Sequence, residues 1–368
     1  MTGGAEPAAT RAYQARFKDT VAADFARPLD DLLVGALGAG SYLGECDDAD
    51  DAAYTAAVRC AVGRGVNLVD TAINYRCQRS ERAVGAALRA AVAAGEVGRS
   101  EVVVCTKGGY IPLDGTPPAS RADYRAYLER EFYAPGVMRP DEVVGAGHCL
   151  APGYLAHQIA RSRTNLGLAT LDVYYLHNPE QQLDAVDPAT LRARLRSAFA
   201  LLEERVAAGE IGRYGCATWD GLRVPPGAPG HLSLAELVET AREVAGDAHH
   251  FRVVQLPINL AMTEAVRQTT QRVPIGQPRP GARVRAERTV TVLQAALELG
   301  VSVVASAPLM QAQLARNLPE QIRAAFPQLA TDAQRAIAFV QAMPGVSAAL
   351  VGMRQRAHLD ENLAASRA

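Results

Sequence analysis

Eight short apolar runs, each followed by a stretch of helical periodicity, fill most of the 368 residues and predict a closed (β/α)8 barrel. Strands that alternate with helices pair in parallel through crossover connections. Eight such units over roughly 330 residues favour a closed barrel over an open doubly wound sheet. The rival dinucleotide fold lacks its signature. GALGAGSYLGE (35–45) has a G-x-G but no third glycine at the fingerprint spacing, and no acidic residue closes a later strand at the required distance.

The elements follow in order. Residues 1–30 are rich in alanine and charge and read as an N-terminal arm, leaving 31–368 as a single barrel domain. LVGAL (33–37) opens the strand series, and DAAYTAAVRCAVGRG (51–65) has helical periodicity with a glycine stop. VNLVD (66–70) is a strand and SERAVGAALRAAVAAG (80–95) a helix, followed by the β-branched strand EVVVCTK (101–107). Helix 154–167 precedes the strand LDVYYLH (171–177), and helix 188–209 precedes IGRYGCAT (211–218). Helix 232–246 leads to FRVVQLP (251–257), helix 285–300 to VSVVASAPL (301–309), and helix 331–345 to VSAALVG (346–352). RAHLDENLAASR (356–367) closes the chain as a helix. Two stretches interrupt the rhythm, 108–152 after the third strand and the Pro- and Gly-rich 258–284 after the sixth. Loops this long in a compact domain serve as lids or binding loops, and in a barrel both lie on the C-terminal face.

Composition narrows the function. With 49% hydrophobic residues the chain can fill one large core, and a net charge of −1 gives no surface for nucleic acid or anionic membrane. No run of eighteen apolar residues suggests a membrane span, and MTGGAEPAATRAYQARFKD lacks the apolar core of a signal peptide, so a cytoplasmic protein is expected. The six cysteines are scattered without a CxxC pair and read as free thiols in a reducing compartment. Clustered Cys and His at ligand spacing are absent, so no metal site is expected.

Four polar residues occupy comparable places in this scheme. Asp70 ends the second strand, Tyr75 lies five residues beyond it, Lys107 ends the third strand and His177 the fourth. Neighbouring strand ends converge on one mouth, so the four can meet. Their chemistry is proton transfer. An ammonium near a phenol favours the phenolate, a carboxylate holds that ammonium, and an imidazole donates to a carbonyl oxygen.

At these residues the chain resembles the aldo-keto reductases. GVNLVDTAINY (65–75), SERAVG (80–85), VVCTK (103–107) and LDVYYLHNPE (171–180) are similar to that superfamily's signatures, in order and in register. The resemblance implies a (β/α)8 barrel that moves hydride between a nicotinamide cofactor and a small aldehyde or ketone, or the matching alcohol or lactol. It places the catalytic tetrad on Asp70, Tyr75, Lys107 and His177, with Tyr75 as general acid/base.

The same resemblance assigns cofactor contacts. Thr218 and Gln255 fall where the carboxamide is held, although Ala217 and Thr218 replace the usual Ser-Asn pair. A hydrogen-bonded structural glutamine is the other reading of Gln255. Ser306, Pro308 and Leu309 stand where strand seven usually offers a stacking aromatic, and such S-A-P endings occur in the branches resembling sugar 1-dehydrogenases and aryl-alcohol dehydrogenases. Gly352, Arg354, His358, Glu361 and Asn362 correspond to the adenine and 2′-phosphate motif, which favours NADP(H) and leaves NAD(H) open. Arg76 follows the tyrosine where a small residue is usual. Either the cluster is structural, with Arg79 and Arg82 capping or pairing with Glu81 and neighbouring loops, or Arg76 faces the pocket with His148 and selects a sugar-like or anionic substrate. Two alternatives remain: a cofactor-binding regulatory protein similar to potassium-channel β subunits, and a redox-neutral enzyme with retained cofactor. The oligomeric state is not encoded in any motif.

Overall fold

The computed structural model describes residues 1–275 and 286–366. Its strands are β1 (Ala26–Leu29), β2 (Leu32–Gly35), β3 (Leu37–Gly40), β4 (Leu68–Asp70), β5 (Val103–Gly108) and β6 (Leu171–His177), then β7 (Ile211–Ala217), β8 (Phe251–Pro257), β9 (Gln271–Pro274), β10 (Glu287–Val290), β11 (Ser302–Ser306) and β12 (Val346–Gly352). Strands β3 to β8 followed by β11 and β12 close into an eight-stranded barrel in chain order. All of its pairings are parallel.

The period-two alternation of a strand decides what reaches the mouth. On β5 Val103 and Cys105 point into the barrel, so Lys107 does as well; on β6 the series is Val173, Tyr175, His177. Leu68 precedes Asp70 in the same way on β4, Val253 precedes Gln255 on β8, and Val304 precedes Ser306 on β11. The lower positions of these series form one buried apolar cluster, and each full Val or Leu burial contributes ~1.5–3 kcal/mol. The upper positions form a polar layer at the C-terminal face.

Leu29, Leu32 and Val34 of the β1–β2 hairpin complete the lower cluster and close the floor of the barrel. The opening barrel strand is therefore Leu37–Gly40, a correction to the expected 33–37. The apolar run LLVGALGAG crosses both strands, and periodicity gives no signal for the break inside it. Residues set apart as an arm pack on that floor: helix Pro7–Ala15 buries Tyr13, whose hydroxyl donates to the Val62 carbonyl at 2.5 Å.

A second correction concerns the helix expected over 285–300. Residues Glu287–Val290 pair with β9 as a hairpin, and the helix begins at Val292 behind a Thr291–Gln294 capping box. Part of the preceding long loop, 276–284, lies outside the described residues. The 108–152 insertion contains a helix at Arg121–Leu128, and its Phe132, Met138 and Cys149 form a small core with Tyr154 of the helix that follows. Among the described residues, no helix is long and apolar enough to cross a membrane, and no cluster of His, Cys, Asp and Glu is arranged to hold a metal.

Candidate active site

The polar layer brings Asp70, Lys107, Tyr75 and His177 together. Lys107 is 0% exposed, and its Nζ donates to Asp70 Oδ2 at 2.5 Å and to the Thr71 carbonyl at 2.9 Å. The same Nζ lies 4.9 Å from the centroid of the Tyr75 ring. The imidazole of His177 meets that ring edge-on at 5.8 Å. Gln255 joins the layer by donating its amide to Asp70 Oδ1 at 2.8 Å. This is the structural hydrogen bond left open by the sequence, and it orients the carboxylate that holds Lys107.

Burial governs the electrostatics. It would lower the Lys107 pKa, but the Asp70 carboxylate and the Tyr75 phenol outweigh it and hold the ammonium above its ordinary value. For Tyr75 burial raises the pKa, against the pull of Lys107, so the phenol is neutral at pH 7. Burial, with Lys107 and His148 nearby, holds His177 well below the ordinary imidazole value, so that ring is neutral too. Its Nδ1 is buried without a partner among the described residues.

The insertion after β5 braces His177. Tyr110 packs edge-on to it at 4.9 Å, and His148 Nε2 lies 2.7 Å from the His177 carbonyl oxygen. Gln182 Nε2 meets His148 Nδ1 at 2.7 Å, which assigns the Nε2–H tautomer: His148 donates to the carbonyl and accepts from Gln182. With 1% exposure, His148 supports the histidine from behind and does not face substrate, contrary to the sequence expectation. Burial lowers its pKa to about 4. The folded state therefore binds this proton more weakly than the unfolded state. His148 contributes stability that is full above pH ~6.5 and is lost as pH falls through its folded pKa. Thermal melts of wild type and His148→Gln between pH 6.5 and 4.5 should differ in slope, the wild type losing up to ~1.4 kcal/mol more per pH unit.

Arg76 is likewise turned from the mouth. Its Nε donates to the Glu45 carbonyl at 2.7 Å, its Nη2 to the Asp47 carbonyl at 3.3 Å and to Asp51 Oδ1 at 2.6 Å, with the side chain 1% exposed. The substrate-facing alternative is thus replaced by the pairing one. Arg79 pairs with Asp48 and Asp51, and Arg82 with Asp114, not with Glu81. Glu81 is buried, accepting from Thr106 at 2.6 Å and Asn165 at 2.8 Å. Arg76, Cys77 and Gln78 are all left-handed (φ 47°, 52° and 66°), a run that costs ~1–2 kcal/mol per non-glycine residue.

Among the residues assigned to cofactor, Thr218 lies just beyond β7 with its Oγ1 buried and unpartnered, and Asn362 buries an unpartnered Nδ2 in the last helix. Such orphaned groups fit a polar ligand better than a finished core. Ser306 closes β11, Pro308 is buried behind it, and Leu309 packs on the outer core beside β12. Arg354 forms an ion pair with Asp50, whereas Gly352 and His358 are exposed around the first turn of helix Arg356–Ala365. Glu361 is half-buried, its carbonyl accepting from Gln334 at 3.0 Å.

Two aromatic residues escaped the sequence reading. Tyr42, 57% exposed, meets the Tyr75 ring at 5.0 Å, and Trp219, 44% exposed, follows Thr218. The available signal was an aromatic residue immediately beyond a strand end, as in GSYLG and ATWDG. Buried Glu180 accepts from the Trp219 backbone N–H at 2.7 Å and so fixes that loop.

Comparison with known proteins identifies relatives of the chain and of its fold. The curated D-threo-aldose 1-dehydrogenase of a Pseudomonas species is 30% identical over 188 residues, which cover 50% of this chain and 50% of that enzyme. The match thus spans about half the length of that relative. An aldo/keto reductase from Klebsiella pneumoniae, solved with NADP and acetate, shares 21% identity at a TM-score of 0.58, over 92% of this chain and 87% of its own. An aldo-keto reductase from Bacillus halodurans in its holo form shares 18% identity at a TM-score of 0.59, over 93% and 91%. These two likenesses carry the barrel fold. The aldo/keto reductase family profile matches residues 34–224, more than half of the sequence and all three strands that carry the tetrad. The chain belongs to the aldo/keto reductase family.

Proposed function

We propose that the chain is an NADP(H)-dependent oxidoreductase acting on a small aldehyde or ketone, or on the matching sugar lactol, with Tyr75 transferring the proton. The observation that carries this reading is the buried Lys107–Asp70 pair beneath the Tyr75 ring, 4.9 Å from Nζ to its centroid. Support for the cofactor comes from the orphaned Thr218 and Asn362 groups and from Klebsiella enzymes solved with NADP and NADPH. Support for the substrate class comes from the Pseudomonas aldose dehydrogenase.

Thr218 and Asn362 would help hold the nicotinamide cofactor, which would supply or accept the hydride when bound. In reduction, Tyr75 Oη–H donates its proton to the carbonyl oxygen as charge develops there. Lys107 stabilises the resulting phenolate, and Asp70 keeps the ammonium in place. Neutral His177 orients the carbonyl oxygen by hydrogen bonding. Exposed Tyr42 and Trp219 flank the mouth with apolar faces suited to the C–H face of a sugar. For oxidation the proton moves back from substrate hydroxyl to Tyr75.

Because the phenol is raised and His177 lowered, neither the proposed proton donor nor the imidazole beside it changes charge near neutrality. The expected kcat/KM profile for carbonyl reduction is flat between pH ~6 and ~9, falling on the alkaline side as Tyr75 ionises. An acid limb near pH 6.5 that His177→Gln abolishes would contradict it. The assignment itself is tested by following NADPH oxidation with aldehydes and NADP reduction with aldoses. Failure of the whole panel in both directions, by protein that binds NADPH, overturns it.

A further inference from the structure

Six cysteines are dispersed along the sequence, yet folding brings two of them together beside the tyrosine. Cys46 Sγ lies 3.3 Å from Cys77 Sγ, both thiols being free. Cys46 belongs to the loop after β3, and Cys77 is the middle residue of the left-handed turn that follows Tyr75.

The surroundings hold this pair in register. Arg76, adjacent to Cys77, donates to the carbonyls of Glu45 and Asp47, the two neighbours of Cys46. One side chain thereby pins the two cysteine-bearing segments face to face. The turn is also tied to the insertion: the Cys77 carbonyl accepts from Gly115 N at 3.0 Å, and Gln78 Nε2 donates to the Leu113 carbonyl at 3.0 Å. A shift at Cys77 therefore reaches both Tyr75 and the insertion that braces His177.

We propose that Cys46 and Cys77 are a redox modification site, which a peroxide converts to a disulfide that displaces the Tyr75 turn and slows turnover. The effect on turnover rests on the oxidoreductase reading above; the crosslink does not. Cys46 is half-buried and Cys77 buried, so peroxide meets Cys46 first. Burial and the neighbouring Cys46 push the Cys77 thiol up to about 12, which makes it the weaker first nucleophile. The Cys46 sulfur attacks the peroxide O–O bond, giving a sulfenic acid and one water. The Cys77 sulfur then attacks the Cys46 sulfur, the S–S bond forms and a second water leaves. Two thiols lose two protons and two electrons, and one hydrogen peroxide accepts them. The sulfurs must close by ~1.3 Å to bonding distance. A displacement near 1 Å at a catalytic group costs on the order of 10²-fold in rate.

The test uses full-length protein, reduced, desalted and exposed to increasing hydrogen peroxide. Non-reducing peptide mass analysis should show the Cys46 and Cys77 peptides joined with loss of two hydrogens. NADPH-dependent carbonyl reduction should fall at least ~10-fold and return with dithiothreitol. Cys46→Ser should keep the reduced enzyme's activity and lose the peroxide response, whereas Cys60→Ser should retain it. Oxidation of other thiols without the 46–77 crosslink overturns the site. A complete crosslink with unchanged turnover overturns the proposed control, and the mass result is decisive for the site even if no carbonyl is turned over.

Discussion

Tyr75→Phe should lower turnover of a confirmed carbonyl substrate by ~10²–10⁴-fold while leaving NADPH affinity unchanged. The substitution removes one oxygen and nothing else of consequence. The ring keeps its contacts with Tyr42 at 5.0 Å and His177 at 5.8 Å, so the left-handed turn behind it has no reason to move. What disappears is the phenol hydroxyl beside the Lys107 ammonium, and with it the proton proposed for the carbonyl oxygen. Steady-state reduction and fluorescence titration with NADPH separate the two effects. Near-wild-type reduction by the variant would remove Tyr75 from the proposed role.

The largest effect on stability is expected at Lys107. Lys107→Met leaves the Asp70 carboxylate buried at 4% exposure with the Gln255 amide as its remaining partner. Breaking a buried ion pair from one side costs ~3–5 kcal/mol. Asp70 can escape only by taking a proton. Burial already raises its pKa against the pull of Lys107, so the carboxyl of the variant titrates higher still. The deficit should therefore shrink as the solution is made acidic. Adding Asp70→Asn removes the stranded charge, and the double variant should regain most of the lost stability without regaining activity. Urea unfolding at neutral and acidic pH measures the first effect, and carbonyl reduction the second. Equal destabilisation of the single and double variants would show that packing, not charge, holds this layer.

The proposed catalytic set was legible because its geometry is local. A polar residue two positions beyond an inward apolar one must point inward as well, so VVCTK and VYYLH announce Lys107 and His177 at the mouth. Thr218 and Asn362 are assigned only by their place in family motifs, and each buries an unpartnered polar atom. Arg76 and His148 were read less well. Each is a cation-capable residue near the mouth in sequence, but a side chain's direction depends on what it meets. Arg76 meets two loop carbonyls and Asp51, and His148 meets a backbone carbonyl and Gln182. None of these partners is adjacent in sequence.

The same distinction explains the thiols. Cys46 and Cys77 are 31 residues apart, and no spacing rule joins them; the crossover helix Asp48–Val62 and strand β4 return the chain to the place it left. By itself, then, the sequence determined the barrel, the order of its strands and the four residues at its mouth. These follow from periods of two and 3.6, and such periods are written in neighbouring residues. Only the tertiary structure decided which cations face inward, how the insertion braces His177 and which cysteines meet. Those are contacts between segments far apart in the chain, and they exist only once the barrel has closed.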